Sequence, residues 1–233
     1  MKDQLDEYLQ SVTGRPFDDP ELLRRALTHR SYVRDRGEPY TECNERLEFL
    51  GDSLLNMMAA DYLFHRFPDR EEGRLTRLRA LMVCESALDI VAAEIGIAEA
   101  LDLGFGEEQN GGRCRPSILA DAVEAIIAAL YLDGGLETAR RFVLSFLPGL
   151  ADRAEAGTLS YQDNKTRLQE LVQKKPGHTL SYEILAEEGP AHRRHFRAGV
   201  CLDGEVRAEG EGASKKKAEQ AAAGKLLSLL KNS

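Results

Sequence analysis

The chain has no tryptophan, and only 6% of its 233 residues are aromatic. That excludes a core or a ligand surface built mainly from large rings. No apolar run approaches the roughly 20 residues that a membrane-spanning helix requires, so no membrane partner is expected. The opening residues, Met1-Lys2-Asp3-Gln4-Leu5-Asp6, are polar and acidic and lack the apolar centre of a signal peptide. The four cysteines, Cys43, Cys84, Cys114 and Cys201, are widely separated and form no CxxC pair. Their spacing argues against a zinc site or a disulfide framework and fits reduced thiols in a cytoplasmic protein. Positive charge is also in deficit: the net charge is −8, which at first sight argues against a nucleic-acid partner. The deficit is uneven, however. Residues 163–233 carry a balance of +3 and residues 1–162 a balance of −11, so the two parts have different tasks.

What is present is enough apolar residue, 42%, for a substantial core, and a change of pattern near residue 160. Up to about Leu150 the apolar spacing predicts helices almost throughout. One amphipathic segment carries Leu22, Leu23, Ala26 and Leu27, and a polar loop is expected over 34–41. Further helices are expected from Asn44 to about Phe67, from Glu72 to about Cys84, and onward from there to Gly96. A glycine-rich loop spans 103–115. A helix over 118–132 is stopped by Gly134-Gly135, and a last one covers 136–146. Residues 151–160 read as a linker. Beyond it lie a helix over 166–173, alternating runs at 181–186, 196–202 and 205–209, and a final helix over 215–230. Gly189-Pro190 and Asp203-Gly204 are turn signals between the runs.

Three carboxylates stand out in Asn44-Glu45-Arg46-Leu47-Glu48-Phe49-Leu50-Gly51-Asp52. At 100° per residue, Glu45, Glu48 and Asp52 share one narrow stripe, while Leu47, Leu50 and Leu54 form the face expected to bury. Like charges at this spacing repel by a few tenths of a kcal/mol per pair. The stripe is either a solvated acid face or the site of a hard divalent cation, which takes oxygen ligands. Gly51, costing about 1 kcal/mol in mid-helix, suggests close approach by another backbone or a ligand. A second acid pair, Asp121 and Glu124, lies three residues apart beside Ser117, Ala125 and Ala128, small residues that admit a neighbouring helix. Four carboxylates converging from two helices require cations. One or two Mg²⁺ ions there would make a phosphoryl-transfer site.

In the C-terminal part, Lys215, Lys216 and Lys217 occupy a helix start, where cations oppose the helix dipole and where a capping box would place an acid or amide. An anion such as a phosphate docking on that turn accounts for them. His192, in the Gly189-Pro190-Ala191-His192 turn, offers a second contact. Gln169 and Glu170, on the outer side of the preceding helix, suit 2′-hydroxyl contacts in a wide minor groove.

These motifs resemble a known family. Asn44–Asp52 continued by Ser53-Leu54-Leu55 is similar to the ribonuclease III signature. Ser117–Ala125 is similar to that family's second acidic motif, and Leu27-Thr28-His29-Arg30-Ser31 also matches. Residues 163–231, with the GPxH turn and Ala213–Ala223, resemble a double-stranded-RNA-binding domain. The resemblance implies an N-terminal all-α endonuclease domain (1–150), a linker (151–160) and a C-terminal α+β domain of order α-β-β-β-α (161–233). It implies Glu48, Asp52, Asp121 and Glu124 as ligands of Mg²⁺, with Mn²⁺ as a substitute, and Asp52 and Glu124 as catalytic. Glu45 and Glu72 would be accessory acids, with Glu71 an alternative to Glu72. Gln169, His192 and Lys215–Lys217 would meet RNA. It further implies a cytoplasmic homodimer, using the surface around Phe49, that cuts both strands of duplex RNA to leave 5′-phosphates, 3′-hydroxyls and short 3′ overhangs, and that processes ribosomal and other precursors. A non-catalytic duplex-RNA-binding regulator and a single-strand nuclease are the rival readings.

Overall fold

The computed structural model describes residues 2–159, 164–173, 178–188, 194–212 and 214–231. The chain divides into two compact units, Met1–Ser160 and Tyr161–Ser233.

The first unit is helical. Its elements are α1 (Lys2–Thr13), α2 (Pro20–Ala26), α3 (Arg30–Arg36), α4 (Glu45–Arg66), α5 (Glu72–Met82), α6 (Glu85–Ile95), α7 (Ile97–Ala100), α8 (Phe105–Gln109) and α9 (Pro116–Glu155). Short 3-10 turns occupy Tyr40–Glu42 and Gly112–Cys114. Among the described residues of this unit the sole β pairing is a bridge between Thr28 and Asp102. The core gathers on α4 and α9, which pack lengthwise; Leu55, Leu63, Val123, Ile126, Ile127 and Phe142 are fully enclosed.

Several local expectations are corrected here. The segment 34–41 is not all loop, because α3 runs to Arg36 and ends on Gly37 in the left-handed region at φ 67°. The glycine-rich stretch contains the short helix α8. Gly135, at φ 78° and ψ −180°, interrupts α9, but the helix then continues through Pro148 to Glu155. Residues 151–155, expected in the linker, are therefore helical. Ala151 and Ala154 are buried, so these residues are small for packing, not for flexibility.

The face of α4 that buries is also shifted. Leu47, Gly51, Leu55 and Met58 face the core, whereas Leu50 and Leu54 lie half-buried on its flank. Gly51 sets the rotation. A Cβ built there would sit 1.8 Å from the Glu124 carbonyl oxygen, so the missing side chain lets the two helices touch backbone to backbone.

The second unit is α10 (Asn164–Gln173), β1 (Leu180–Glu188), β2 (His195–Leu202), β3 (Glu205–Gly212) and α11 (Lys215–Lys231). Its sheet is antiparallel in the order β1-β2-β3, in register at Leu180↔Leu202 and Leu202↔Glu205. Asp203 and Gly204, at φ 58° and 81°, form the two-residue turn whose twist suits a tight hairpin. Asp203 also accepts from the Thr179 N–H at 2.8 Å. Leu168, Val172, Val200, Ala223 and Leu226 form the core beneath the helices. Gly210 of β3 allows α11 to lie close: a Cβ there would fall 2.1 Å from the Ala222 nitrogen.

Candidate metal centre and catalytic cleft

The crossing of α4 and α9 at Gly51 brings two acid-bearing helix faces together. One carboxylate oxygen from each of Glu48, Asp121 and Glu124 lies within 4.8 Å of the others. All three side chains are partly buried. Burial, reinforced by Asp52, Asp121 and Glu48, pushes the Glu124 carboxyl up to about 8. Burial, then Glu48 and more distant Glu85 and Glu45, pushes Asp121 up to about 7. Glu48 is raised by burial first and then by Glu45 and Asp52, with Arg30 acting in the opposite direction. Carboxylates held so close resist ionising together, and a bound divalent cation removes that penalty. Three oxygen donors on two fixed helices are a hard-cation donor set.

Asp52, one turn further along α4, is exposed. It is not one of the three converging carboxylates; its Oδ1 accepts from Asn56 Nδ2 at 2.9 Å. Its charge still reaches the group, as its upward effect on Glu48 and Glu124 shows. Glu45 sits in the first turn of α4, 3.3 Å from Arg30 Nη1. Glu72 opens α5 and accepts from Thr76 Oγ1 at 2.7 Å, outside the three-carboxylate group, while Glu71 is the N-cap residue of α5.

In the second unit, Gln169 is exposed on α10, and Lys215 is exposed at the start of α11, its Nζ 5.9 Å from the centre of the Phe196 ring. His192 and the side chains of Glu170, Lys216 and Lys217 lie outside the described residues.

Beside the acids opens a cavity of about 470 Å³. Its walls include His29, Arg30, Asn44, Glu48, Arg115 and Asp121. The His29–Ser31 segment is held by a relay. Ser31 Oγ accepts from the Gly104 N–H at 2.9 Å and lies 2.8 Å from His29 Nδ1, while Asp35 accepts from the Phe105 N–H at 2.8 Å. The Ser31 N–H also points at His29 Nδ1, 3.3 Å away. With Nδ1 accepting, the ring proton is on Nε2, and burial lowers the His29 pKa and favours this neutral form. Sequence reasoning quoted His29 and Arg30 without giving them a role, and it left Glu107 and Arg115 in a loop. The available signal was Gly104, just before the acid pair Glu107-Glu108, a glycine that lets the backbone come close: a Cβ there would stand 2.5 Å from the Ser31 carbonyl oxygen.

The chain is similar to known proteins along nearly its full length. A family model described as Ribonuclease-III-like matches residues 19–150, and one described as a double-stranded RNA binding motif matches 164–230. A protein of Syntrophomonas wolfei named Ribonuclease 3 is 49% identical over 212 residues, covering 91% of this chain and 89% of that one. A Carboxydothermus hydrogenoformans protein of the same name is 47% identical over 224 residues, covering 96% and 95%. Among solved structures, the nuclease domain of ribonuclease III from Campylobacter jejuni is 40% identical, with a TM-score of 0.54 over 60% of this chain and 92% of that domain. With the all-α unit, the acid-lined helix crossing and the α-β-β-β-α unit that follows, these likenesses make the chain a member of the ribonuclease III family: an endoribonuclease domain followed by a double-stranded-RNA-binding motif.

Proposed function

We propose that the protein is a Mg²⁺-dependent, double-strand-specific endoribonuclease that acts as a homodimer in the cytoplasm, with ribosomal and other precursor RNAs as substrates. The observation carrying this reading is the convergence of Glu48, Asp121 and Glu124 at one helix crossing in a chain that also has a duplex-RNA-binding motif. The donor chemistry fits the metal: all three ligands are oxygens, and the raised pKa values of Asp121 and Glu124 reflect burial first and then mutual repulsion, both of which a bound cation offsets. Glu48, Asp121 and Glu124 would hold it, with Asp52 as the fourth carboxylate one turn away. When bound, Mg²⁺ supplies Lewis acidity and an activated water for in-line displacement at phosphorus.

The chain's own residues do the rest. The Gly51 contact locks α4 against α9 and so fixes the separation of the acids. Their carboxyls must shed their protons before a cation can bind, so loading is favoured as pH rises toward 8. Hydrolysis adds water at phosphorus and breaks the bond to the 3′ oxygen, leaving a 5′-phosphate and a 3′-hydroxyl. Gln169 and Lys215–Lys217, with His192, would hold the duplex through its 2′-hydroxyls and phosphates.

An apolar stripe on α4 supports the dimer. Phe49, Met57 and Phe64 are 78%, 45% and 68% exposed, and all three lie within one narrow sector of the helix. A related Campylobacter jejuni structure concerns a region involved in dimer formation of the nuclease domain. A two-fold dimer would present one site to each strand of a duplex, and staggered cuts would leave short 3′ overhangs.

The test is incubation with a duplex RNA and with each strand alone, in Mg²⁺ and in EDTA. Mg²⁺-dependent cutting of the duplex alone is expected, lost in Glu124→Gln with binding retained. Binding without any cutting would favour the regulator reading, and equal loss of unpaired RNA the single-strand nuclease. Normal cutting by Glu124→Gln would overturn the site assignment.

A further inference from the structure

The cavity beside the acids holds more hydrogen-bond donors than the protein itself uses. Asn44 is 1% exposed, and its Nδ2 has no hydrogen-bond partner. It is the N-cap residue of α4, yet its side chain caps no backbone N–H. The long helix α9 also begins here, at Pro116 behind its N-cap residue Arg115, with no side-chain cap and no acid in its first turn. Its own residues thus leave the positive end of its dipole uncompensated. Arg115 and Arg30 line the same cavity. The Nη1 of Arg115 lies 2.5 Å from Glu107 Oε1, but the contact is poorly aligned, and that oxygen makes no hydrogen bond. Arg30 is held only at 3.3 Å by Glu45. Each guanidinium has five N–H donors, so most remain available. The Nε2–H of His29 adds a further donor on this wall.

Donors of this kind, lining one cavity, fit an anion. Four carboxylates line the same cavity, so a phosphate there depends on the cation that Glu48 and Asp121 would hold. Glu48 and Asp121 belong to the carboxylate group, and Glu45 and Glu107 each sit against one of the two arginines. Because Glu48 and Asp121 line the cavity as well as the metal centre, an anion there lies next to the reacting phosphate and belongs to the same strand.

We propose that this cavity is a phosphate subsite, in which Arg30, Arg115 and the Asn44 amide grip the RNA backbone phosphate adjacent to the scissile one. The inference rests on the endonuclease reading given above. It makes Arg30 and Arg115 positioning residues that fix the register of the cut strand, a task that phosphate contacts perform without reading sequence.

The experiment measures binding of a defined duplex RNA, with Mg²⁺ present, in a Glu124→Gln background so that the strand stays whole. Arg30→Gln and Arg115→Gln are each expected to weaken binding about 10-fold and to flatten the dependence of log affinity on log salt by about one charge. A single uncharged methylphosphonate at one of the two phosphates flanking the scissile bond should weaken the parent similarly. Its effect should be smaller in the Arg115→Gln variant, where one of the phosphate's partners is already gone. Asn44→Ala should lose affinity severalfold at unchanged salt slope, with its melting temperature intact because no internal bond is lost. Where Arg115→Gln melts early, Arg115→Lys keeps the charge and should retain the methylphosphonate response. Unchanged affinity and slope in both arginine variants, or full methylphosphonate sensitivity persisting without Arg115, would overturn the subsite. Failure of the endonuclease reading is separable, because the parent protein would then bind the duplex in Mg²⁺ without cutting it.

Discussion

Replacing Glu124 with Gln should make the metal-free protein more stable while removing its activity. The unfolded chain ionises Glu124 near 4.5, whereas the folded site holds it up to about 8. The folded state therefore binds this proton more tightly. Below pH 4.5 both states are protonated and the side chain costs nothing. As pH rises from there to about 8, the unfolded state is increasingly favoured, and above about 8 the full cost is reached. The displacement of roughly 3.5 pH units corresponds to about 5 kcal/mol at 1.36 kcal/mol per unit. Glu124 is only partly buried and shares its repulsion with Asp121, so solvent screening reduces the usable figure to about 1–2 kcal/mol. Glutamine keeps the volume and cannot ionise. In a unit of this size each kcal/mol moves the melting midpoint by roughly 2–4 °C.

The assay is thermal melting of parent and Glu124→Gln in EDTA at pH 5 and at pH 8.5. The variant should melt about 2–8 °C higher at pH 8.5 and within a degree or so of the parent at pH 5. Added Mg²⁺ should raise the parent's midpoint at pH 8.5 by mass action and do much less at pH 5, where protons compete for the same oxygens. Asp121, raised to about 7, adds to the parent's loss of stability over the same window. Equal midpoints at pH 8.5 would refute the claim that burial and neighbouring carboxylates make the ionised Glu124 costly. A gain of the same size at both pH values would show that packing, not charge, had changed.

Gly51→Ala gains about 1 kcal/mol of helix propensity but places a Cβ 1.8 Å from the Glu124 carbonyl oxygen; urea unfolding should show a net loss of about 2–4 kcal/mol, and cleavage should fall because the acids are forced apart. Asp133, its side chain 2% exposed, accepts from Arg15 at 2.6 Å and from the Asp18 and Asp19 N–H groups at 3.2 and 2.8 Å. Asp133→Ala should cost about 3–5 kcal/mol in the same experiment by stranding the arginine and two backbone donors. Replacing Lys215, Lys216 and Lys217 together with Ala should weaken duplex-RNA binding and flatten its salt dependence, without moving the melting of the first unit; an unchanged salt slope would count against a phosphate contact at that helix start.

Periodicity made the helices of the first unit legible, and alternation with the Asp203-Gly204 turn did the same for the three strands. What failed was the reading of small and charged residues by composition. Ala151 and Ala154 looked like linker because they are small, but they are buried on the last turns of α9, where packing carries the helix through Pro148. The stretch 34–36 looked like loop because it is charged; the helix it ends, α3, buries only Ser31 and Val33, too few positions for a 3.6-residue repeat to show.

The site itself divides along the same line. Spacing within a helix shows which acids share a face, and small residues around Asp121 and Glu124 show that something can come close. Gly51 was the most informative residue, because its cost in a helix had to have a structural return, and that return is contact with the backbone of Glu124 itself. Spacing cannot supply the rotation of one helix against another. Placing Gly51, and not Leu50, at the contact turns α4 so that Glu48 joins Asp121 and Glu124 while Asp52 is left toward solvent. The donors of the neighbouring cavity were harder still to foresee. Asn44, Arg30 and Arg115 come from three separate segments, and an unpaired amide is visible only when every possible partner has a position. A motif therefore announces the acids, which must be close in sequence to share a helix face. The groups that would grip the rest of the strand are scattered along the chain, and only the fold assembles them.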